Sequence, residues 1–477
     1  MTRPAPARGP AISRPAPARV VILGGGFGGL YAATYLAAAD LPERAAKVTL
    51  VSDRNHFTFS PLLAEVVGGS LGREHVTFPY RVLAQRYGFR FLLARVEGFD
   101  PMAGVAHTTA GPVPFDHAIV ALGAAPRYFG NQELRRTTMP FASVSDALAI
   151  RDRVLANAER AAQERSAEAR RGLLGFTVAG AGPAGVEAAS EIWHLLSDVL
   201  PRYYELGKEA KVTIVEGSDR ILRGWDDELA AAGLEELRRR GIDVCLETRV
   251  GGYDGRVVQA EGPEGDASHE AGTLIWTAGT APATGPLADS PLPRGRHGHL
   301  EVDECLRVSR ATGPDAGGLP DAGRAEGGAQ GPGAGGPQAG GGPQGPTSGK
   351  PPAAGVLENV FAVGDVASRV NPRTGRPYPP VAPIAISQGV RAAGNVENAI
   401  VGRPLEPYQA HHAGKIISLG NGVALVDLLG FRLRGPLAWA MYRATYLLKL
   451  VGTANKLRAG TTLLLNRLFE RDLSWVG

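Results

Sequence analysis

The chain has 477 residues, 44% hydrophobic and 21% charged, enough for two or three domains with sizeable cores and too ordinary in composition for a fibrous or disordered protein. A net charge of only +4 argues against a nucleic-acid binder, and any basic partner surface must be local. Cys245 and Cys305, the two cysteines, stand too far apart in sequence for a disulfide framework or a zinc site, so a reducing compartment is expected.

Met1 to Arg19 is rich in Pro, Ala and Arg and lacks the apolar core of an export signal. It reads as a disordered arm, with contact to lipid as the alternative. Val20 to Leu23 then reads as a buried parallel strand, and Gly24, Gly26 and Gly29 follow at G-x-G-x-x-G spacing before an Ala-rich helix. That order of elements is a dinucleotide turn. Gly24 permits the bend, Gly26 lets backbone approach a pyrophosphate, and Gly29 lets the helix pack on the strand, with the phosphates at the helix N-terminus.

Lys47 to Asp53 reads as the next strand of the same β-α-β unit. Its end offers Ser52 or Asp53 to a ribose hydroxyl; adjacent strand residues face opposite ways, and Asp53 is preferred. Asn55 to Leu71 contains Phe57, Phe59, Pro61, Leu62 and Leu63, which composition alone assigns only to a core. Asp116 to Gly123 is an apolar strand ending on Gly123, as a backbone approach to a ligand requires. Ser145 to Arg171, rich in Ala, Arg and Glu, reads as a solvated helix.

Gly172 to Ile192 repeats the opening grammar: strand Phe176–Ala179, then Gly180, Gly182 and Gly185 at the same spacing, then a helix. The next strand, Lys211 to Glu216, ends on an acid at the expected distance. A Glu216 carboxylate accepts both hydroxyls of a ribose diol and repels a 2′-phosphate, so this second site should prefer NADH; Arg220 could offset that preference. Glu187 and Glu191 stand one turn apart on the helix directly after the Gly180–Gly185 turn, where like charges cost about 0.2 to 0.5 kcal/mol when exposed. The pair is either a solvated face or placed for function.

Thr273 to Gly279 is another buried strand ending on a small turn at Ala278 and Gly279. Residues 313–355 are Gly, Pro, Ala and Gln rich and read as a disordered insertion. Asn359 to Asp365 delivers Gly364 and Asp365 to a turn. The last segment, Gly435 to Val476, mixes Trp439, Tyr442, Tyr446, Trp475 and many leucines with Arg443, Lys449, Lys456, Arg458 and Arg467. Its charges interrupt any run of about 20 apolar residues, so it reads as an amphipathic segment lying on a membrane surface, Lys449 and Lys456 sharing one face. A helical pair covering the core or a dimer seam is the other reading. His411 and His412 read as solvated, and no metal is expected.

With these pieces placed, the chain resembles the two-dinucleotide-binding flavoproteins and, among them, the type II NADH dehydrogenases, the non-proton-pumping NADH:quinone oxidoreductases. The carrying motifs are GGGFGGL from Gly24, VTLVSDRNHFTFSPLLAEVVGGSL from Val48, VALGAAPRYFG from Val120, AGAGPAGVEAASEI from Ala179, VTIVEGSDRIL from Val212, VFAVGDVA from Val360 and APIAISQG from Ala382. The resemblance implies an α/β fold of two Rossmann-like dinucleotide-binding domains, the second inserted in the first, with a C-terminal amphipathic helical region on the membrane. Domain limits follow: an arm over 1–19, an FAD domain over 20–140 and 286–400, an NADH domain over 141–285, and a membrane or dimerisation region over 401–477.

It further implies that FAD is held by Gly24, Gly26, Phe27, Gly28, Gly29, Ser52, Asp53, Pro61, Leu62, Gly123, Gly364, Asp365 and Ala385, with Asp365 accepting from ribityl hydroxyls. NADH would be held by Gly180, Gly182, Pro183, Gly185, Glu187, Glu216, Ala278 and Gly279. Glu187 would be the acid beside the flavin and Gln388 the surviving amide of the quinone end. Relatives commonly carry A-Q-x-A-x-Q-Q-G there, whereas this chain has Pro383 and Ser387. No cysteine precedes Cys245, so the paired thiols that disulfide reductases and sulfide:quinone oxidoreductases need beside the flavin are missing. The function implied is NADH oxidation through FAD to a membrane quinone at the cytoplasmic face of the cell membrane. The rivals are NADH-dependent reduction of another acceptor and a flavin-bound NADH sensor with little turnover.

Overall fold

Six consecutive residues, Ala18–Leu23, form β1, whose last four side chains are buried at the centre of a parallel sheet. The structure is a computed structural model and describes residues 16–39, 46–206, 209–263, 265–309, 357–410, 414–420, 422–428, 430–469 and 471–474. The first 15 residues of the arm, the 313–355 insertion, His411, His412 and Trp475 lie outside the described residues.

In chain order, β1 leads to α1 (Phe27–Ala38), β2 (Ala46–Ser52), the short α2 (Leu63–Val67), β3 (Arg90–Leu93), β4 (His117–Val120) and β5 (Ala124–Pro126). Then come β6 (Met139–Pro140), α3 (Val144–Gln163), α4 (Ala167–Leu174), β7 (Gly175–Ala179), α5 (Pro183–His194), β8 (Lys211–Val215), β9 (Ile242–Cys245), β10 (Thr273–Trp276) and β11 (Thr280–Pro282). The chain returns through β12 (Val360–Ala362), α6 (Ala382–Ile400), the antiparallel strands β13 (Lys415–Ser418), β14 (Ala424–Leu428) and β15 (Phe431–Gly435), and ends in α7 (Pro436–Lys449) and α8 (Thr453–Leu468).

The first parallel sheet has the order β12-β4-β1-β2-β3 and the second β6-β10-β7-β8-β9. Because β12 follows the whole second sheet in sequence yet pairs with β4, the second nucleotide fold is inserted in the first. The two are tied by an antiparallel ladder of β5 on β11. Helices cover one face of each sheet, and the other face packs on antiparallel strands, which carry Val96, Phe99 and Ala106 under the first sheet and Tyr253 and Val258 under the second.

Two local readings of the sequence are corrected. Ser145–Arg171 is two helices, because Glu164 is extended and Ser166 caps α4 by accepting from the Ala169 amide at 3.3 Å. Nor is α3 solvated: Ile150, Val154, Leu155 and Ala158 are buried against the core, each large side chain contributing about 2 kcal/mol. Its Ala-rich composition hid a packed face. The C-terminal segment likewise breaks at Leu450–Gly452, where Gly452 has φ +79°, so Lys449 and Lys456 stand on different helices.

The inner face of the C-terminal pair is part of the core. Ala438, Tyr442 and Ala459 are fully buried. Asn455 Nδ2 donates to His75 O at 2.7 Å, Asn466 Nδ2 to Ser70 O at 2.8 Å, and Arg471 Nη1 to Gly68 O at 2.8 Å. The outer face leaves Leu437, Leu448, Leu457, Leu464 and Phe469 exposed. Among the described residues no helix is long and apolar enough to cross a membrane.

Candidate active site

Two turns of near-identical geometry dominate the site. Gly24 and Gly180 have φ of +104° and +100°, which side-chain-bearing residues avoid. A Cβ on Gly29 would stand 1.8 Å from Gly24 O, and one on Gly185 1.9 Å from Gly180 O, so each helix touches its turn backbone to backbone. A Cβ on Gly26 or Gly182 would meet nothing within 4 Å. That open space lies at the N-termini of α1 and α5, where backbone amides and the helix dipole favour phosphate. Pro183 sits at the first helical position of α5, where its missing N–H costs nothing.

The first turn is completed from far along the chain. Gly28 lies under Val363 and Ala385, and Gly389 of α6 packs on Gly28 so closely that a Cβ there would stand 2.2 Å from its carbonyl. Gly364, φ +70°, is 3.4 Å from the Ala385 Cβ by the same construction, so Gly28, Gly364 and Ala385 meet. Gln388 is only 3% exposed and its Oε1 accepts from Gly364 N at 2.7 Å; here the amide fixes the Gly364 turn. Asp365 makes no hydrogen bond among the described residues, and burial holds its carboxyl above the usual range. A half-buried acceptor beside an open glycine turn fits the hydroxyls of a flavin nucleotide.

Ser52 is buried at the end of β2 and Asp53 is exposed just beyond it. Tyr80 donates its hydroxyl to Gly25 O at 2.5 Å and is held beside Ser52; sequence reasoning missed it, since no local pattern links it to the turn. Leu62 is buried and Pro61 half-buried in a 3₁₀ turn, and Gly123, φ +73°, accepts from Ala283 N at 2.9 Å where β5 meets β11. Phe27 packs edge-on against Phe57 and Phe59 at 5.0 and 5.8 Å, and Phe59 in turn against Tyr446 of α7 at 6.1 Å.

At the second turn, Glu216 Oε2 accepts from Ala181 N at 2.6 Å and Oε1 from Ser218 N at 2.9 Å. The carboxylate is therefore laid across the glycine turn. Arg220 pairs with Asp227 and donates to Trp225 O at 3.2 Å, so it is committed elsewhere. Ala278 packs on Gly180, and Gly279, φ +101°, lies under the exposed ring of Phe129, itself at φ +50°.

Between the turns lies a feature the sequence only half disclosed. Glu187 Oε1 accepts from Ser418 N at 3.2 Å. Glu191, for which the sequence left a solvated face or a functional placement open, is 4% exposed, and Glu65 of α2 is 1% exposed. Glu65 Oε1 accepts from the Tyr442 hydroxyl at 2.7 Å and lies 3.9 Å from Arg443 Nη1. Burial and then the Glu65 charge push Glu187 well above the usual carboxylate range, and the same two causes raise Glu191 to about 7. Neither Glu65 nor Tyr442 carried a sequence signal; Glu65 sits in the SPLLAE stretch and Tyr442 in the amphipathic tail. Among the described residues no group of three or more His, Cys, Asp or Glu could hold a metal. Cys245 is half-buried at the edge of the second sheet and Cys305 is buried; both are free.

A family model described as pyridine nucleotide-disulphide oxidoreductase matches residues 18–313. The type II NADH:quinone oxidoreductase Ndh of Mycobacterium tuberculosis is 28% identical over 476 residues, covering 96% of this chain and 89% of that protein. A probable NADH dehydrogenase of Dictyostelium discoideum is 25% identical over 469 residues, covering 96% and 91%. In fold, the chain is similar to NDH2 from Plasmodium falciparum in complex with NADH, with a TM-score of 0.79 over 96% of this chain and 99% of that one at 18% identity. Over most of its length, therefore, the chain belongs to the pyridine nucleotide-disulphide oxidoreductase family.

Proposed function

We propose that this protein is an FAD-dependent enzyme that oxidises NADH and reduces a membrane quinone without pumping protons. The observation that carries it is the pair of matched glycine turns in two sheets joined by β5 and β11, with no cysteine before Cys245 to serve as a thiol relay. The relatives named as NADH:quinone oxidoreductases support the same reading. When bound, FAD would accept a hydride from NADH and pass on two electrons.

The chain's own residues bind and orient. Gly24, Gly26 and Gly29 with α1 take the FAD pyrophosphate, Ser52 and Asp53 stand at its ribose end, and Asp365 takes ribityl hydroxyls. Gly180, Gly182 and Gly185 with α5 take the NADH pyrophosphate, and Glu216 takes the ribose diol. Glu187, whose carboxyl is raised by burial and by the Glu65 charge, is the acid of α5 that stands beside the NADH turn. The exposed leucines of α7 and α8, flanked by Lys449 and Arg458, rest on the cytoplasmic surface of the membrane.

One observation favours a second reading, reduction of a different acceptor. Ser387 is occupied by Tyr408 at 2.8 Å and Ile384 O at 3.0 Å, and Pro383 at the helix start has no donor, so of the three only Gln388, whose Oε1 is bonded to Gly364 N, keeps a side-chain N–H for a quinone carbonyl. Purification in detergent, extraction of the flavin, and turnover with NADH and NADPH across quinones and soluble acceptors test both. Bound FAD with NADH-driven quinone reduction supports the first. Fast turnover only with a soluble acceptor supports the second, and no turnover at all leaves a sensor.

A further inference from the structure

Four ionisable residues share one face of α5 and its π-helical extension, Leu195–Val199: Glu187, Glu191, His194 and Asp198. Spacings of four and three keep Glu187, Glu191 and His194 within about 60° around the axis of α5, and the 2.7 Å contact of His194 with Asp198 extends the row. The stripe runs from the buried carboxyl cluster to the surface.

At the inner end, Glu191 Oε2 and Glu65 Oε2 are buried with no hydrogen-bond partner among the described residues. A buried carboxylate oxygen without a donor is costly, and this burial is the first cause that raises Glu191. Arg443, Arg471 and Arg240 act on Glu191, while Tyr442 and Tyr446 face Glu65 and Glu187. At the outer end, His194 Nδ1 lies 2.7 Å from Asp198 Oδ2. Both line a surface cleft with Trp193, Ser197, Arg239 and Arg240. Burial, then Arg471, lowers His194, with Asp198 opposing and Arg240 adding. Glu191, raised to about 7, and His194, lowered by burial, stand three residues apart on α5, one turn of the helix from each other.

We propose that this stripe is the proton-supply route of the enzyme, carrying protons from the cleft at Asp198 and His194 through Glu191 to Glu187 and the Glu65–Tyr442 pair. The proposal rests on the quinone-reductase reading above. Its balance is NADH plus quinone plus one solvent proton giving NAD⁺ and quinol: the hydride supplies two electrons and one hydrogen nucleus, and the stripe supplies the remaining proton. An acceptor that takes electrons alone, such as ferricyanide, makes no demand on it.

The test uses full-length, flavin-loaded protein and the ratio of quinone to ferricyanide turnover with NADH. Glu191→Gln and His194→Gln should lower that ratio about tenfold or more and flatten its dependence on pH around neutrality, with Glu191→Asp partly restoring both. Asp198→Asn, at the exposed mouth, should lower the ratio at alkaline pH, where protons are scarce, and guards against misfolding of the buried variants. Wild-type quinone turnover with unchanged ratios in all these variants overturns the route alone. Wild-type protein that reduces ferricyanide but no quinone overturns the functional reading and the route with it.

Discussion

The Tyr442 hydroxyl donates to Glu65 Oε1 at 2.7 Å, joining positions 377 residues apart. Both are fully buried, so this bond anchors the C-terminal helix pair to the segment that follows the first nucleotide turn. Tyr442→Phe removes the donor and leaves Glu65 more poorly solvated. The expected loss is about 1 to 3 kcal/mol of stability, read as a lower thermal midpoint at neutral pH.

Glu216→Ala should narrow the preference for NADH over NADPH about tenfold in kcat/KM, by removing the carboxylate that opposes a 2′-phosphate. Arg220→Ala should leave the preference unchanged, because Arg220 is paired with Asp227. Steady-state kinetics on both nucleotides reads the two variants side by side.

Gly29→Ala should abolish flavin binding. Its Cβ would stand 1.8 Å from a backbone oxygen, and backbone cannot yield as a flexible side chain would. Release of flavin on denaturing the purified variant gives the occupancy; full occupancy would contradict the turn's role.

Glu191 links stability to pH. Its ordinary carboxyl value of 4.5 is raised to about 7 in the folded protein, so the folded state holds the proton more tightly than the unfolded one. Stability from this group is present at pH below about 4.5, falls as pH rises to about 7 and is lost above it, on the order of 3 kcal/mol in total. Glu191→Gln should therefore gain stability relative to wild type between about pH 5 and about pH 8, measured as the difference in thermal midpoint.

Membrane attachment should depend on the outer faces of α7 and α8. Removing everything beyond Gly435 would strip Tyr442 from Glu65 as well, so substitution is the cleaner probe. Leu448, Leu457 and Leu464 are exposed, and changing all three to Ser should reduce binding to anionic vesicles by about a hundredfold or more while NADH oxidation with ferricyanide continues.

What could be read from sequence was local. Gly24 and Gly180 announced their turns because strand, glycine spacing and helix lie within some twenty residues, and Glu216 followed by counting. Tyr80 against Gly25 and Tyr442 against Glu65 were illegible, since each contact is made by the fold between remote segments. Ser145–Arg171 misled because small alanines bury as readily as leucines but look polar beside so many arginines. Glu191 sat at a spacing that fits a solvated helix face equally well, and only the packing of α2 and its Gly68 turn against it separates the two.

The central claim, that electrons pass from NADH through a bound flavin to a quinone, is tested most directly by anaerobic mixing in two steps. Purified protein given stoichiometric NADH should lose its visible flavin absorbance, and a quinone analogue added next should restore it with one quinol formed per NADH consumed. Absorbance that NADH does not bleach, or that a quinone does not restore, would contradict it.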